Sequence, residues 1–194
     1  MMRLDILNRG YGPGTKLLFA LIRVFSGHPV PDAAKLVFYR PDFYGAQAKK
    51  FTHEAMRGPS GWSVADRELM AAFVSKVSES AFCVGAHTAT AGQAYQDGEK
   101  VQAVLADLET APIEGGLRAT LRMLGKLTRE GKVGAEDMRE VLSAGVSRQQ
   151  VEDALAVCTA FNTTGRLADA FGFELLSPEG FDAGAKYLLK RGYR

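Results

Sequence analysis

The stretch Ser78-Glu79-Ser80-Ala81-Phe82-Cys83-Val84-Gly85-Ala86-His87-Thr88-Ala89-Thr90 gathers a thiol, an imidazole and several hydroxyl groups in one short segment. A helix beginning near Ser80 places Cys83 and His87 at i and i+4, on one face with Cβ atoms roughly 5–6 Å apart, so a ring nitrogen can reach the sulfur. With Ser78 or Ser80 as the cap, Cys83 falls in about the first turn, where the helix dipole and free amides favour a thiolate. An imidazole that takes the proton acts the same way, and both effects lower a thiol from its ordinary pKa of about 8.5. This predicts a reactive cysteine. The competing reading is structural. A cysteine flanked by Phe82 and Val84 on an Ala-rich helix is a common small core hydrophobe, a His four residues on needs no function, and Glu68 suits a helix N-terminus by charge alone. Spacing leaves both readings open.

These side chains need elements to carry them, and the apolar periodicity predicts helices. Apolar residues recur at three and four, as in Leu69, Ala72, Phe73, Val77 and in Leu117, Leu121, Leu124, Leu127. Ala and long straight-chain residues fill the interior windows, which favours helix over strand. Ser63, followed by Asp66 and Glu68, and Ser147, followed by Gln149 and Gln150, read as helix caps. The two capped segments share an outline, which suggests a duplicated helical unit. Gly- and Pro-rich clusters near residues 10–14, 27–31, 58–61, 112–116, 131–134 and 177–180 are turns, none long enough for a linker. The expectation is an all-α fold in one domain, 1–194.

Composition bounds the function. With 194 residues, 46% of them hydrophobic and 24% charged, the chain is an ordinary globular one, and at this length folding buries roughly 70% of the unfolded surface. Its two cysteines therefore build no scaffold. The 24 Lys and Arg against 22 Asp and Glu are scattered, which argues against nucleic acid as a partner. The apolar run Leu17 to Phe25 is far short of the roughly 20 residues of a membrane span and is interrupted by Arg23, so no membrane association is expected. No small-residue cleavage site follows it, and a cytoplasmic location with reduced thiols is expected. His28, His53 and His87 have no metal-ligand spacing, so neither a metal nor another cofactor is expected. Cys158, on the apolar face Leu155 to Phe161, reads as core. Trp62 reads as a packing anchor. The N-terminal helix with Phe19, Ile22 and Phe25 is expected to be covered between subunits. The basic tail Lys186 to Arg194 reads as a solvated helix or a subunit contact.

Glu68, eleven residues, Ser80, two residues, Cys83, three residues, His87 resembles the Glu-x11-Cys-x2-Cys-x3-His signature of the alkylhydroperoxidase D-like and carboxymuconolactone decarboxylase-like proteins. The flanking runs Met56-Arg57-Gly58-Pro59-Ser60 and Asp66-Arg67-Glu68-Leu69 are similar to those of peroxidase-related members. So are Leu117 to Leu121, Lys126 to Arg129, Gly145-Val146-Ser147 and Phe161 to Asp169. The resemblance is strongest over 38–175, leaving an N-terminal helical extension, 1–37, and a C-terminal tail, 176–194. It implies a helical fold from a duplicated unit, assembled as trimers or hexamers, and reduction of organic hydroperoxides. By resemblance Cys83 is the peroxidatic nucleophile, His87 its base and Glu68 the carboxylate that relays the proton.

The chain departs from that signature at one place that matters. Ser80 stands where redox-active members keep the resolving cysteine, and Phe82 where several carry a second His. A Cys83 sulfenic acid must then wait for an external thiol or a dihydrolipoyl-type reductant, for Cys158, or for further oxidation to a dead end. Three functions follow. The first is a one-cysteine thiol peroxidase. The second is a decarboxylase-like enzyme in which Glu68 and His87 do acid–base work and Cys83 lines the pocket. The third is a non-catalytic, ligand-binding oligomer, which predicts a thiol titrating above about 8. The peroxidase reading calls for Glu68, Ser80, Cys83 and His87 around one water-accessible pocket.

Overall fold

Ser63 and Ser147 open helices as their sequences predict, each through a reciprocal cap. Ser63 Oγ accepts from Asp66 N while Asp66 Oδ2 accepts from Ser63 N, both at 3.0 Å, and Ser147 pairs in the same way with Gln150. The computed structural model describes residues 5–193, with Asp5, Ile6, Phe43 and Tyr44 described by backbone alone. Among them every regular element is helical, so the fold is all-α. A 3-10 turn (Asp5–Asn8) precedes α1 (Pro13–Ser26) and α2 (Asp32–Tyr39), and a π turn (Pro41–Gly45) leads into α3 (Ala46–Arg57). Then come α4 (Val64–Val77), α5 (Ala81–Tyr95), α6 (Gly98–Ala106), α7 (Gly115–Glu130), α8 (Ala135–Ser143), α9 (Arg148–Phe171) and α10 (Pro178–Arg191).

The helix that carries Glu68 is the centre of the molecule. Residues Leu69 to Phe73 of α4 are apolar on every side, and α4 is buried almost throughout, packed by α5, α7 and α9. The main core joins Met56, Leu69, Met70, Val74, Leu121, Leu124 and Phe161. Trp62 is buried in it as expected, its Nε1 donating to Gln150 O at 2.8 Å. A second, smaller cluster holds Leu7, Leu36, Phe82, Cys83, Ala168 and Phe173. Helix α10 lies across α5 at Gly85, where a Cβ would stand 2.6 Å from Phe181 Cζ. The tail is solvated on one face, at Lys186, Tyr187, Lys190 and Arg191, while α10 packs on α5 with the other and Tyr193 reaches Glu68.

Helix α1 contrasts with the rest. None of its residues is buried, and Leu17, Val24 and Phe25 lie open, the last at 85% exposure. Phe19 meets the rings of Tyr11 and Phe38.

Candidate active site

Glu68 lies one turn into α4, wholly buried, and a buried carboxylate persists only with partners. Three meet it. Arg57, the last residue of α3, donates from Nη2 to Oε1 at 2.6 Å. His87 of α5 approaches Oε2 with Nδ1 at 2.8 Å. Tyr193, beyond α10, donates its hydroxyl to Oε1 at 3.0 Å and Oε2 at 3.2 Å. Burial by itself would push the Glu68 carboxyl up, but the His87 bond and charge and the Arg57 guanidinium outweigh it and hold the group below the usual carboxylate range. An ionised Glu68 makes Nδ1 the protonated ring nitrogen, which leaves Nε2 as the basic one. Phe161 of α9 packs its ring 4.1 Å from that of His87 and fixes it from the side.

Cys83 occupies the third position of α5, one turn before His87 on the same helix, as expected. Its electrostatics differ from expectation. None of the ring's hydrogen bonds goes to the sulfur, and the side chain is buried among Phe82, Phe173, Leu36 and Leu7. Burial pushes the thiol up to about 11, the Asp169 carboxylate adds to this, and only the Ser80 hydroxyl acts the other way. The helix terminus and the imidazole do not outweigh desolvation, so the predicted depression of the thiol is corrected to a rise.

Ser80 is the N-cap residue of α5, but its side chain does not cap. Its Oγ donates instead towards Asp169 Oδ1, at 3.2 Å, and Gly165 O, at 3.4 Å, both on α9. The site therefore has two halves. Glu68 and His87 are paired, Ser80 and Cys83 are neighbours, and apolar and aromatic side chains close the space around them. The open groove of about 420 Å³ beside α7 is lined by Arg122, Lys126, Glu109 and Glu140 and includes none of these residues. Cys158 is buried in the main core, with Asn162 Nδ2 3.2 Å from its sulfur and no bond to Cys83, which fits its structural reading.

Arg57, Asp169 and Tyr193 were not singled out by the sequence. Arg57 and Asp169 fall inside the runs that carry the family resemblance, whereas Tyr193 lies 125 residues from Glu68 and nothing local signals it. Among the described residues no cluster of His, Cys, Asp and Glu converges on a metal position, and no helix is long and apolar enough to cross a membrane.

No protein-family model matches the chain, and no curated protein does. Solved structures do. An uncharacterized peroxidase-related protein from Silicibacter sp. TM1040 superposes with a TM-score of 0.78 over 92% of this chain and 94% of its own, at 23% identity. An alkylhydroperoxidase AhpD core, an uncharacterized peroxidase-related protein from Ralstonia eutropha JMP134, gives 0.77 over 95% and 96%, at 20% identity. Identities this low speak to fold, and on that evidence the chain has the all-helical fold of the alkylhydroperoxidase AhpD core.

Proposed function

We propose that the chain is a thiol peroxidase that reduces organic hydroperoxides at Cys83. The observation that carries this reading is the buried Glu68–His87 pair, 2.8 Å apart, whose His87 lies one turn along α5 from Cys83. The fold of peroxidase-related proteins supports it. In the reaction Cys83 loses its proton to His87 Nε2, and the thiolate sulfur attacks the terminal peroxide oxygen. The S–O bond forms, the O–O bond breaks, and the departing alkoxide takes the proton back from the imidazolium to leave as an alcohol. Glu68 stabilises the imidazolium and Arg57 keeps Glu68 ionised. Sulfur is oxidised to the sulfenic acid. One external thiol then converts it to a mixed disulfide and water, and a second releases Cys83 as the thiol. Ser80 takes no part in that resolution.

The ground state does not favour the thiolate. With the thiol at about 11, ionisation at pH 7 costs ~5 kcal/mol. The reaction needs a form of the site in which Cys83 is wetter or nearer to His87. The same burial favours a second reading, the non-catalytic ligand-binding protein, and one experiment separates them. Incubation with micromolar cumene hydroperoxide and a sulfenic-acid trap is expected to label Cys83, and Cys83→Ser is expected to abolish peroxide consumption. An unlabelled Cys83 overturns the peroxidase reading. Labelling with undiminished turnover in Cys83→Ser assigns the chemistry to Glu68 and His87 instead.

A further inference from the structure

Gly192 and Tyr193 follow α10 and reach the site by a defined route. Arg57 Nη2 donates to Leu188 O at 3.1 Å, anchoring the last turn of α10 to the group that also binds Glu68. Gly192 has φ +67°, a backbone conformation that strains any other residue, and a Cβ there would stand 2.7 Å from His53 Cε1. Tyr193 N then donates to His53 Nδ1 at 3.2 Å. Its phenol enters between flat groups. The ring is stacked on His87 at 6.4 Å and 20°, meets Phe161 edge-on at 6.4 Å, and lies 5.1 Å from the Arg57 guanidinium carbon. The hydroxyl touches both oxygens of Glu68 and lies 3.5 Å from His87 Nδ1.

The phenol is held as a ligand would be: one O–H on a buried carboxylate, and a planar apolar body between an imidazole, a phenyl ring and a guanidinium face. Burial and the Glu68 charge keep it protonated, so it remains a donor. An organic hydroperoxide carries the same donor on its terminal oxygen, the atom that the thiolate attacks. Arg57, His87 and Glu68 are fixed on α3, α5 and α4, whereas Tyr193 hangs on a short turn at a glycine, the kind of position that absorbs a hinge motion.

We propose that Tyr193 is a self-docked occupant of the substrate site, filling the place where the O–H of an aryl-bearing hydroperoxide meets Glu68, and that the Gly192–Tyr193 segment swings out to admit it. The substrate class rests on the peroxidase reading; the displaceable tail does not. Loading and opening are one event, and opening adds a way in, through the place of Tyr193, to a thiol that Leu7, Leu36, Phe82 and Phe173 already enclose.

Iodoacetamide labelling of Cys83 at pH 8, read by peptide mass, tests this on the full chain. Tyr193→Ala is expected to label about tenfold or more faster than the parent protein, with Tyr193→Phe in between because the ring stays and the hydroxyl anchor is lost. Equal rates in a Tyr193→Ala protein with the parental circular dichroism overturn the proposal. Hydrogen exchange on the unaltered protein decides the matter if that variant does not fold. Millimolar p-cresol is expected to speed exchange of the Tyr193 amide while toluene does not, and an amide unmoved by p-cresol overturns the proposal. Faster labelling in Tyr193→Ala without sulfenic acid from cumene hydroperoxide upholds the displaceable tail and overturns the peroxidase reading. Sulfenic acid forming equally fast with and without Tyr193 does the reverse.

Discussion

Glu68 is the residue whose charge state the rest of the site depends on. Its folded-state pKa is depressed, so the stability it contributes is present above its unfolded value of about 4.3 and lost as pH falls through the lower folded value. Urea unfolding should therefore show stability dropping below about pH 4. In Glu68→Gln that acid-side dependence should shrink, and stability at pH 7 should fall by about 3–5 kcal/mol, because Arg57 and His87 lose a buried counter-charge. Cys83 behaves in the opposite sense. Its folded pKa, about 11, lies above the unfolded value of about 8.5, so stability falls as pH rises between the two. Its alkylation rate should climb through pH 8.5 to 10 without levelling, and Asp169→Asn, which removes the repelling carboxylate beside it, should speed labelling at pH 8 severalfold. A plateau near pH 7 in the parent protein would contradict this. That Glu68 and His87 work together was legible only through the family signature that their spacing resembles. The thiol's pKa was not, because the groups that desolvate it, Leu7, Leu36 and Phe173, come from segments far along the chain.

The helices were the legible part of the molecule. Ser63 and Ser147 announced α4 and α9 because a cap is a local interaction between residues three apart, and the 3.6-residue period fixed α7. Contacts between helices were less accessible. Gly85 in the middle of α5 reads as a weak point, since Ala is ordinarily about 1 kcal/mol better inside a helix. Packing reverses the sign. A methyl at that position would meet Phe181, so Gly85→Ala should destabilise by about 1–3 kcal/mol as α10 is pushed from α5. Gly85→Ala with Phe181→Leu should recover part of the loss, as thermal or urea melts of the two variants would show. The C-terminal tail was legible in part, because a basic amphipathic run reports its solvent face but not the aromatic residue that follows its last turn and reaches Glu68.

At the scale of the molecule, the formal charge of +2 and the apolar face of α1 bear on association rather than chemistry. A helix with Leu17, Val24 and Phe25 open to water is a candidate for burial between copies of the chain, and light scattering after gel filtration is expected to give three or six chains per particle. Replacing Val24 and Phe25 by Asp should then reduce that mass, and a parent protein that runs as one chain would contradict the assembly. The central claim is that a closed helical fold holds a cysteine that a hydroperoxide can oxidise. Its most direct measurement is the mass of Cys83 after one equivalent of cumene hydroperoxide, taken together with the alcohol released. The account predicts one oxygen atom on Cys83 and one equivalent of cumyl alcohol, both absent in Cys83→Ser. Intact hydroperoxide and an unchanged Cys83 peptide would contradict it.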